Sequence, residues 1–196
     1  MPLMTVGEII DLVIMTVFVG YIFSDMIPVK RQNYDPLVYY RKRFDFEKLR
    51  FAIMATAPAI ILHELAHKFV ALGFGLDAVF YAFYREPFTL LLGVLTVISK
   101  LTGFGFMFFV PGFVSIGGAG TGLQYALTSF AGPFVNFVLW IGSWALLKAG
   151  KYRKKHHLLL LLTEKINMFL FIFNMLPIPG FDGYNFYVKM IKAFIG

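Results

Sequence analysis

Phe51-Ala-Ile-Met-Ala-Thr-Ala-Pro58-Ala-Ile-Ile-Leu-His63-Glu64-Leu-Ala-His67-Lys68-Phe-Val-Ala-Leu72 is long and apolar enough to cross a bilayer, yet it carries two histidines and a glutamate in close succession. An unpaired charge at mid-bilayer costs roughly 2.5 kcal/mol or more, so these side chains need partners. A metal ion is the obvious one. On a helix the i, i+4 spacing puts His63 and His67 on one face, where both rings can converge on a single zinc ion. Glu64, one step round, can reach a water at the metal without ligating it, the general-base arrangement of an HExxH metallopeptidase. The structural alternative is a hydrogen-bonded polar cluster that stitches helices together, an expensive device for three such side chains in lipid.

The rest of the chain agrees with a membrane setting. Hydrophobic residues make up 59% of the 196 and charged residues only 15%, which argues against a soluble domain. With no cysteine, disulfides, thiolate zinc sites and thiol catalysis are all excluded, so a transition-metal site must draw on His, Asp or Glu. The net charge of +7 could suggest nucleic acid, but its distribution points elsewhere. Most Lys and Arg residues lie in two stretches beside apolar runs, from Lys30 to Arg50 and from Lys148 to Lys155. Such juxtamembrane clusters bind anionic lipid headgroups and set topology, so anionic lipid rather than nucleic acid is the expected partner.

Four spans are expected: Thr5 to Ile27, Phe51 to Leu72, Tyr125 to Leu147 and Leu158 to Leu176. No Lys or Arg precedes the first, which argues against a removable signal peptide. Residues 28–50 are polar, aromatic and basic and are expected along the membrane surface. Pro58 could kink the second span. Ala78 to Tyr84 suggests a short strand. In 87–110 the apolar pattern is broken by Lys100, Gly103 and Gly105, and a short helix is expected there. After it, Phe106 to Val110 and Phe113 to Ile116 read as two strands joined by a Pro111-Gly112 turn. In the fourth span Glu164, Asn167 and Asn174 share roughly one face, expected to turn inward. Tyr184 to Gly196 is a short amphipathic tail. The fold class is therefore an all-α polytopic membrane protein, of about four transmembrane helices with a small membrane-embedded β-hairpin. It forms a single domain over 1–196, its core at about 51–190.

A catalytic zinc ion usually has three protein ligands and one open position. For the third, the residues after His67 offer Asp77, Glu86, Glu164, Asp182 and the pair His156/His157. The two histidines sit among basic residues at the interface, where solvation suits them better. Glu164 lies in an apolar span and is a real rival. Asp182 follows a Pro-rich break directly after a span, where non-helical backbone can aim a carboxylate back into the bundle.

Three segments carry a resemblance. His63-Glu-Leu-Ala-His67, Gly132-Pro-Phe-Val-Asn136 and Asn174-Met-Leu-Pro-Ile-Pro-Gly-Phe-Asp182-Gly183 resemble, in order, the HExxH, GPxxN and LDG signatures of the site-2 protease family of intramembrane metalloproteases. They cover roughly residues 51–190, with Phe181 where the family usually has Leu. No PDZ-like insertion is present, as in a minimal member. The resemblance implies one Zn2+ per chain held by His63, His67 and Asp182, with Glu64 as general base. It also implies that Asn136 helps to hold the substrate or the oxyanion; read without the family, Asn136 could equally be an interhelical hydrogen bonder.

The expected activity is that of an intramembrane zinc endopeptidase, in a multi-pass protein of the cell membrane, acting on transmembrane protein substrates. A catalytically silent scaffold and a metal-ion or proton transporter are the rival readings. A transporter would carry more ionisable residues through its spans than Lys100, Glu164 and Lys165. To meet at one depth, the spans bearing the histidines and preceding Asp182 must run parallel, with their basic leading loops on one face. The positive-inside rule puts that face in the cytoplasm, whereas the family resemblance implies an active site nearer the cytoplasm.

Overall fold

In the computed structural model, which describes residues 3–24, 45–103 and 112–195, the order of elements is α1 (Val6–Phe23), α2 (Phe46–Gly73), β1 (Asp77–Ala82), α3 (Pro87–Thr102), β2 (Gly112–Gly117), α4 (Gly122–Ala149), α5 (His157–Asn174) and α6 (Asp182–Ile195). Four are long and apolar enough to cross a membrane: α1, α2, α4 and α5 with the turn that leads into it. The all-α polytopic expectation with a small antiparallel sheet is met.

Local chemistry sets the helix starts. Thr5 and Glu8 form a reciprocal capping box at α1, and Thr121 with Gln124 does the same at α4. Asp45 caps α2 from Glu47 and Lys48, which starts this helix five residues earlier than the apolar run alone implied. Residues 46–50, expected on the surface, are thus helical; most of the remainder of that basic stretch lies outside the described residues. Pro58 sits inside α2 without ending it.

Side-chain pairings fix the directions of the spans. Glu8 meets Lys68, and a Cβ on Gly20 would collide with Ile53, so α1 and α2 run antiparallel. His67 meets Thr128 and His63 meets Asn136, so α2 and α4 are antiparallel too. Only residues 150–156 join α4 to α5, and Asn136 meets Asn167 at a similar distance along both helices from that joint, which makes α5 antiparallel to α4. It follows that α2 and α5 point the same way, as a shared site requires. Residues 73–124 therefore leave and rejoin the bundle at one face. Within that excursion, α3 runs beside α1: Arg85 binds Asp11 near its start, and Lys100 caps the far end through the carbonyls of Tyr21 and Ile22 (3.2 Å to the latter).

The sheet differs from the expected hairpin. β2 pairs antiparallel with β1, from Asp77↔Gly117 to Ala82↔Gly112, with all of α3 between them in sequence. Gly112 is the first residue of β2 rather than a turn residue, because it lies against the ring of Phe80, where a Cβ would stand 2.7 Å from Cζ. The segment 106–110, read as the first strand of that hairpin, lies outside the described residues. β1 is anchored to α1 by Glu8, which accepts the Phe80 N–H at 2.9 Å. Leu12, Met15 and Val19 of α1 pack with Ala59 and Ile60 of α2, Phe80 and Ala82 of β1 and Leu170 of α5 as the main core.

Because the sequence has no cysteine, the parallel course of α2 and α5 can be read by labelling. Single cysteines at Glu47 and Lys154, beside the starts of these helices, should react identically with an impermeant maleimide in sealed vesicles. Reaction of one with protection of the other would overturn the arrangement.

Candidate metal centre

The histidines of α2 sit one turn apart, both buried, with ring centroids 4.7 Å apart and nearly perpendicular. Asp182 reaches them from the start of α6. The chain leaves α5 at Asn174, turns through Gly180 at φ +97°, and doubles back. Gly183 permits that return, because a Cβ there would stand 2.6 Å from the Met175 carbonyl oxygen.

Three atoms meet at the centre. His63 Nε2 lies 3.0 Å from Asp182 Oδ2, His67 Nε2 lies 3.2 Å from the same oxygen, and the two nitrogens are 3.1 Å apart. The other ring nitrogens decide what these atoms are. His67 Nδ1 lies 2.7 Å from the backbone carbonyl of Thr128, which can only accept. His63 Nδ1 lies 2.5 Å from Asn136 Oδ1. That amide is oriented by its nitrogen, which donates to the carbonyl of Ala59 at 3.1 Å and to Asn167 Oδ1 at 2.8 Å. Both imidazoles therefore carry their proton on Nδ1 and turn bare Nε2 lone pairs toward a carboxylate oxygen.

Three acceptors in van der Waals contact repel one another unless a cation lies between them. Zinc fits. Ligand atoms about 2.0–2.1 Å from a tetrahedral ion lie about 3.3 Å from one another, close to the three edges found here. A metal ligand has to be a deprotonated carboxylate, and a cation between the three atoms would favour that form of Asp182.

Glu64 is buried beside the cluster and makes no hydrogen bond with any described residue. It faces a cavity of about 430 Å³ walled by β2, by one face of α5 and by the loop before Asp182. Among the rival ligands, Asp77 is exposed at the start of β1, and Glu86 caps α3 by accepting from Thr89 N at 2.9 Å. Glu164 pairs with Lys165 at 3.1 Å, and His157 lies 2.6 Å from the Tyr152 hydroxyl. None of these, nor the exposed His156, joins His63 and His67.

Asn136 stands one bond removed from the centre. It is completely buried, and both of its amide hydrogens are engaged by Ala59 and Asn167. It has none left for an oxyanion in this arrangement, so its contact with the site is the hydrogen bond it accepts from His63. Thr128 went unread in the sequence, and Gly132 was read only as part of its motif. Gly132, on α4, admits the histidines: a Cβ there would stand 2.6 Å from His63 Nε2 and nearer still to His67 Nε2. Thr128 supplies the carbonyl for His67. Their signal was the four-residue spacing of Thr128, Gly132 and Asn136, which places all three on one helix face.

A helical fold with four helices long and apolar enough to cross a membrane, an HExxH helix and a convergent third carboxylate has the donor set of a zinc metalloprotease. A protein of Methanocaldococcus jannaschii named "Putative zinc metalloprotease MJ0611" is 33% identical over 177 residues, covering 90% of this chain and 81% of that protein. The chain belongs to that zinc metalloprotease family, a membership consistent with the site-2 protease resemblance of its three motifs. No family profile and no solved structure matches it.

Zinc content measured after purification should fall sharply in Asp182→Ala and stay at the wild-type level in Glu164→Ala. The reverse outcome would transfer the third ligand to Glu164. Gly132→Ala should also lose zinc, since the added methyl occupies the space of the imidazole nitrogens; overpacking of this kind costs typically 1–3 kcal/mol.

Proposed function

We propose that this protein is an intramembrane zinc endopeptidase that hydrolyses peptide bonds within or near transmembrane segments of other membrane proteins. The observation that carries this reading is the convergence of the HExxH pair with Asp182 in the wall of an apolar cavity inside a four-span bundle. His63, His67 and Asp182 would hold one ion, and Glu64 faces the same cavity.

When bound, zinc supplies Lewis acidity toward water and toward the carbonyl of the scissile bond. Glu64 takes the proton of the attacking water and returns it to the leaving amine nitrogen. Its position in an apolar pocket, free of hydrogen bonds to the described residues, leaves that carboxylate available for both transfers. Asn136 and the Thr128 carbonyl hold the two imidazoles in the tautomer and orientation the ion requires.

The cavity also supports a reading of how substrate is engaged. A transmembrane helix hides its peptide bonds behind side chains and i→i−4 hydrogen bonds, so it must unwind locally before attack. β2 uses one edge to pair with β1, and Gly112, Phe113, Val114 and Ile116 line the cavity. An unwound substrate segment can add to this sheet through main-chain hydrogen bonds. Segments with helix-weakening residues near one membrane face should therefore be the preferred substrates. The exposed Lys151, Arg153, Lys154 and Lys155 before α5 would rest against anionic headgroups of the cell membrane.

Purified wild type should cleave a single-pass test substrate in detergent. Glu64→Gln keeps size and hydrogen-bonding capacity, so it should retain zinc while turnover falls by at least ~10²-fold. Full activity in Glu64→Gln would refute the mechanism. A zinc-loaded wild type that leaves every single-pass substrate intact would favour a silent scaffold.

A further inference from the structure

Asn167 is completely buried in α5, outside all three motifs and out of reach of the metal centre, yet both ends of its amide are committed. Its nitrogen donates to the carbonyl of Thr163 at 2.7 Å, and its oxygen accepts from Asn136 at 2.8 Å. The donors then run in one direction. His63 Nδ1 gives to Asn136, Asn136 gives to Asn167, and Asn167 gives to the main chain of α5. Since the chain ends on a backbone carbonyl, which can only accept, every member has a single allowed orientation.

From this relay we infer that Asn167 is a positioning residue of the metal centre, acting through Asn136 to keep the His63 lone pair turned toward the metal. The inference rests on the functional reading above only in taking His63 as a ligand. The physical argument concerns rotation of an amide. The Asn136 side chain could offer His63 either its oxygen or its nitrogen. Presented with the nitrogen, His63 would have to accept at Nδ1 and carry its proton on Nε2, where the metal belongs. The Ala59 carbonyl opposes that flip, and Asn167 Oδ1 is the second acceptor that opposes it. Removing the Asn167 oxygen leaves one of the two buried amide hydrogens of Asn136 unpaired, which weakens the preference at the site of ligation.

The test reads metal binding directly. Zinc affinity by competition and the visible spectrum of the cobalt-substituted protein would be compared in wild type, Asn167→Leu, Asn167→Asp and Thr96→Val. Asn167→Leu conserves volume without an acceptor. It should bind zinc about 10- to 100-fold more weakly, the usual scale for a lost outer partner of a ligating histidine, and shift the cobalt bands. Asn167→Asp keeps the acceptor toward Asn136 and should retain the wild-type spectrum. Thr96→Val removes a buried hydroxyl in α3, remote from the relay, and should leave affinity and spectrum unchanged. Wild-type affinity and spectrum in folded Asn167→Leu would overturn the inference, as would equal disturbance by Asp and Leu. If Asn167→Leu does not fold, Asn167→Ala carries the same expectation. Failure of wild type itself to bind zinc would instead refute the functional reading.

Discussion

Two imidazole nitrogens and a carboxylate oxygen, all acceptors, are held at 3.0–3.2 Å from one another inside a helical bundle. Apolar surroundings make that arrangement untenable without a positive charge at its middle, and most of the architecture is needed to create it. α2 supplies the histidines from one face. α4 must come close enough to touch them, which Gly132 permits, and must present Thr128 and Asn136 at the two Nδ1 atoms. α5 must end at the same depth so that Asp182 can enter from the turn beyond it. The parallel course of α2 and α5, and with it the return of residues 73–124 to one face, follows from the same three-atom contact.

The centre shows how such a site divides its polar groups. Donors around the imidazoles are spent on fixing them, and Asn136 has no amide hydrogen to spare. Glu64 has no hydrogen-bond partner among the described residues, although it is as deeply buried as the histidines. One set of groups is immobilised by mutual hydrogen bonding and the other is left open toward the cavity, a separation of holding from reacting that needs both kinds of environment within one helical turn.

The spans and the candidate ligands, which the structure brings together, were legible because the sequence states them redundantly. Apolar length marks the helices, the i, i+4 histidines mark a face, and the Pro-rich break before Asp182 marks a change of direction. Helix ends were less legible, since Asp45 caps a helix whose first turn is charged rather than apolar. The strand partner was illegible for a different reason. Val79 and Phe80 are compatible with many mates, and the pairing with Val114 and Ser115 depends on where α3 folds against α1, a long-range outcome that local pattern does not encode. Asn136 shows a third kind of gap. Its type and place in a span were evident, but which atom it turns to His63 depends on Ala59 and Asn167, contributed by two other helices.

The Glu8–Lys68 contact has a consequence for how the chain enters the bilayer at all. Both side chains are buried at 3% exposure, on helices that run antiparallel. Glu8 is also the reciprocal cap of α1 and the acceptor for Phe80 of β1. Carried alone, each charged side chain would oppose transfer of its helix by up to roughly 2.5–3.5 kcal/mol, depending on depth. Carried together they form a compact neutral pair. In the bundle each charge is neutralised by the other helix, so α1 and α2 suit an apolar setting better as a pair than singly. Asp11, the other buried carboxylate of α1, is met by Arg85 just before α3, so seating the first helix draws both on the helix that carries His63 and His67 and on the residues that lead into α3.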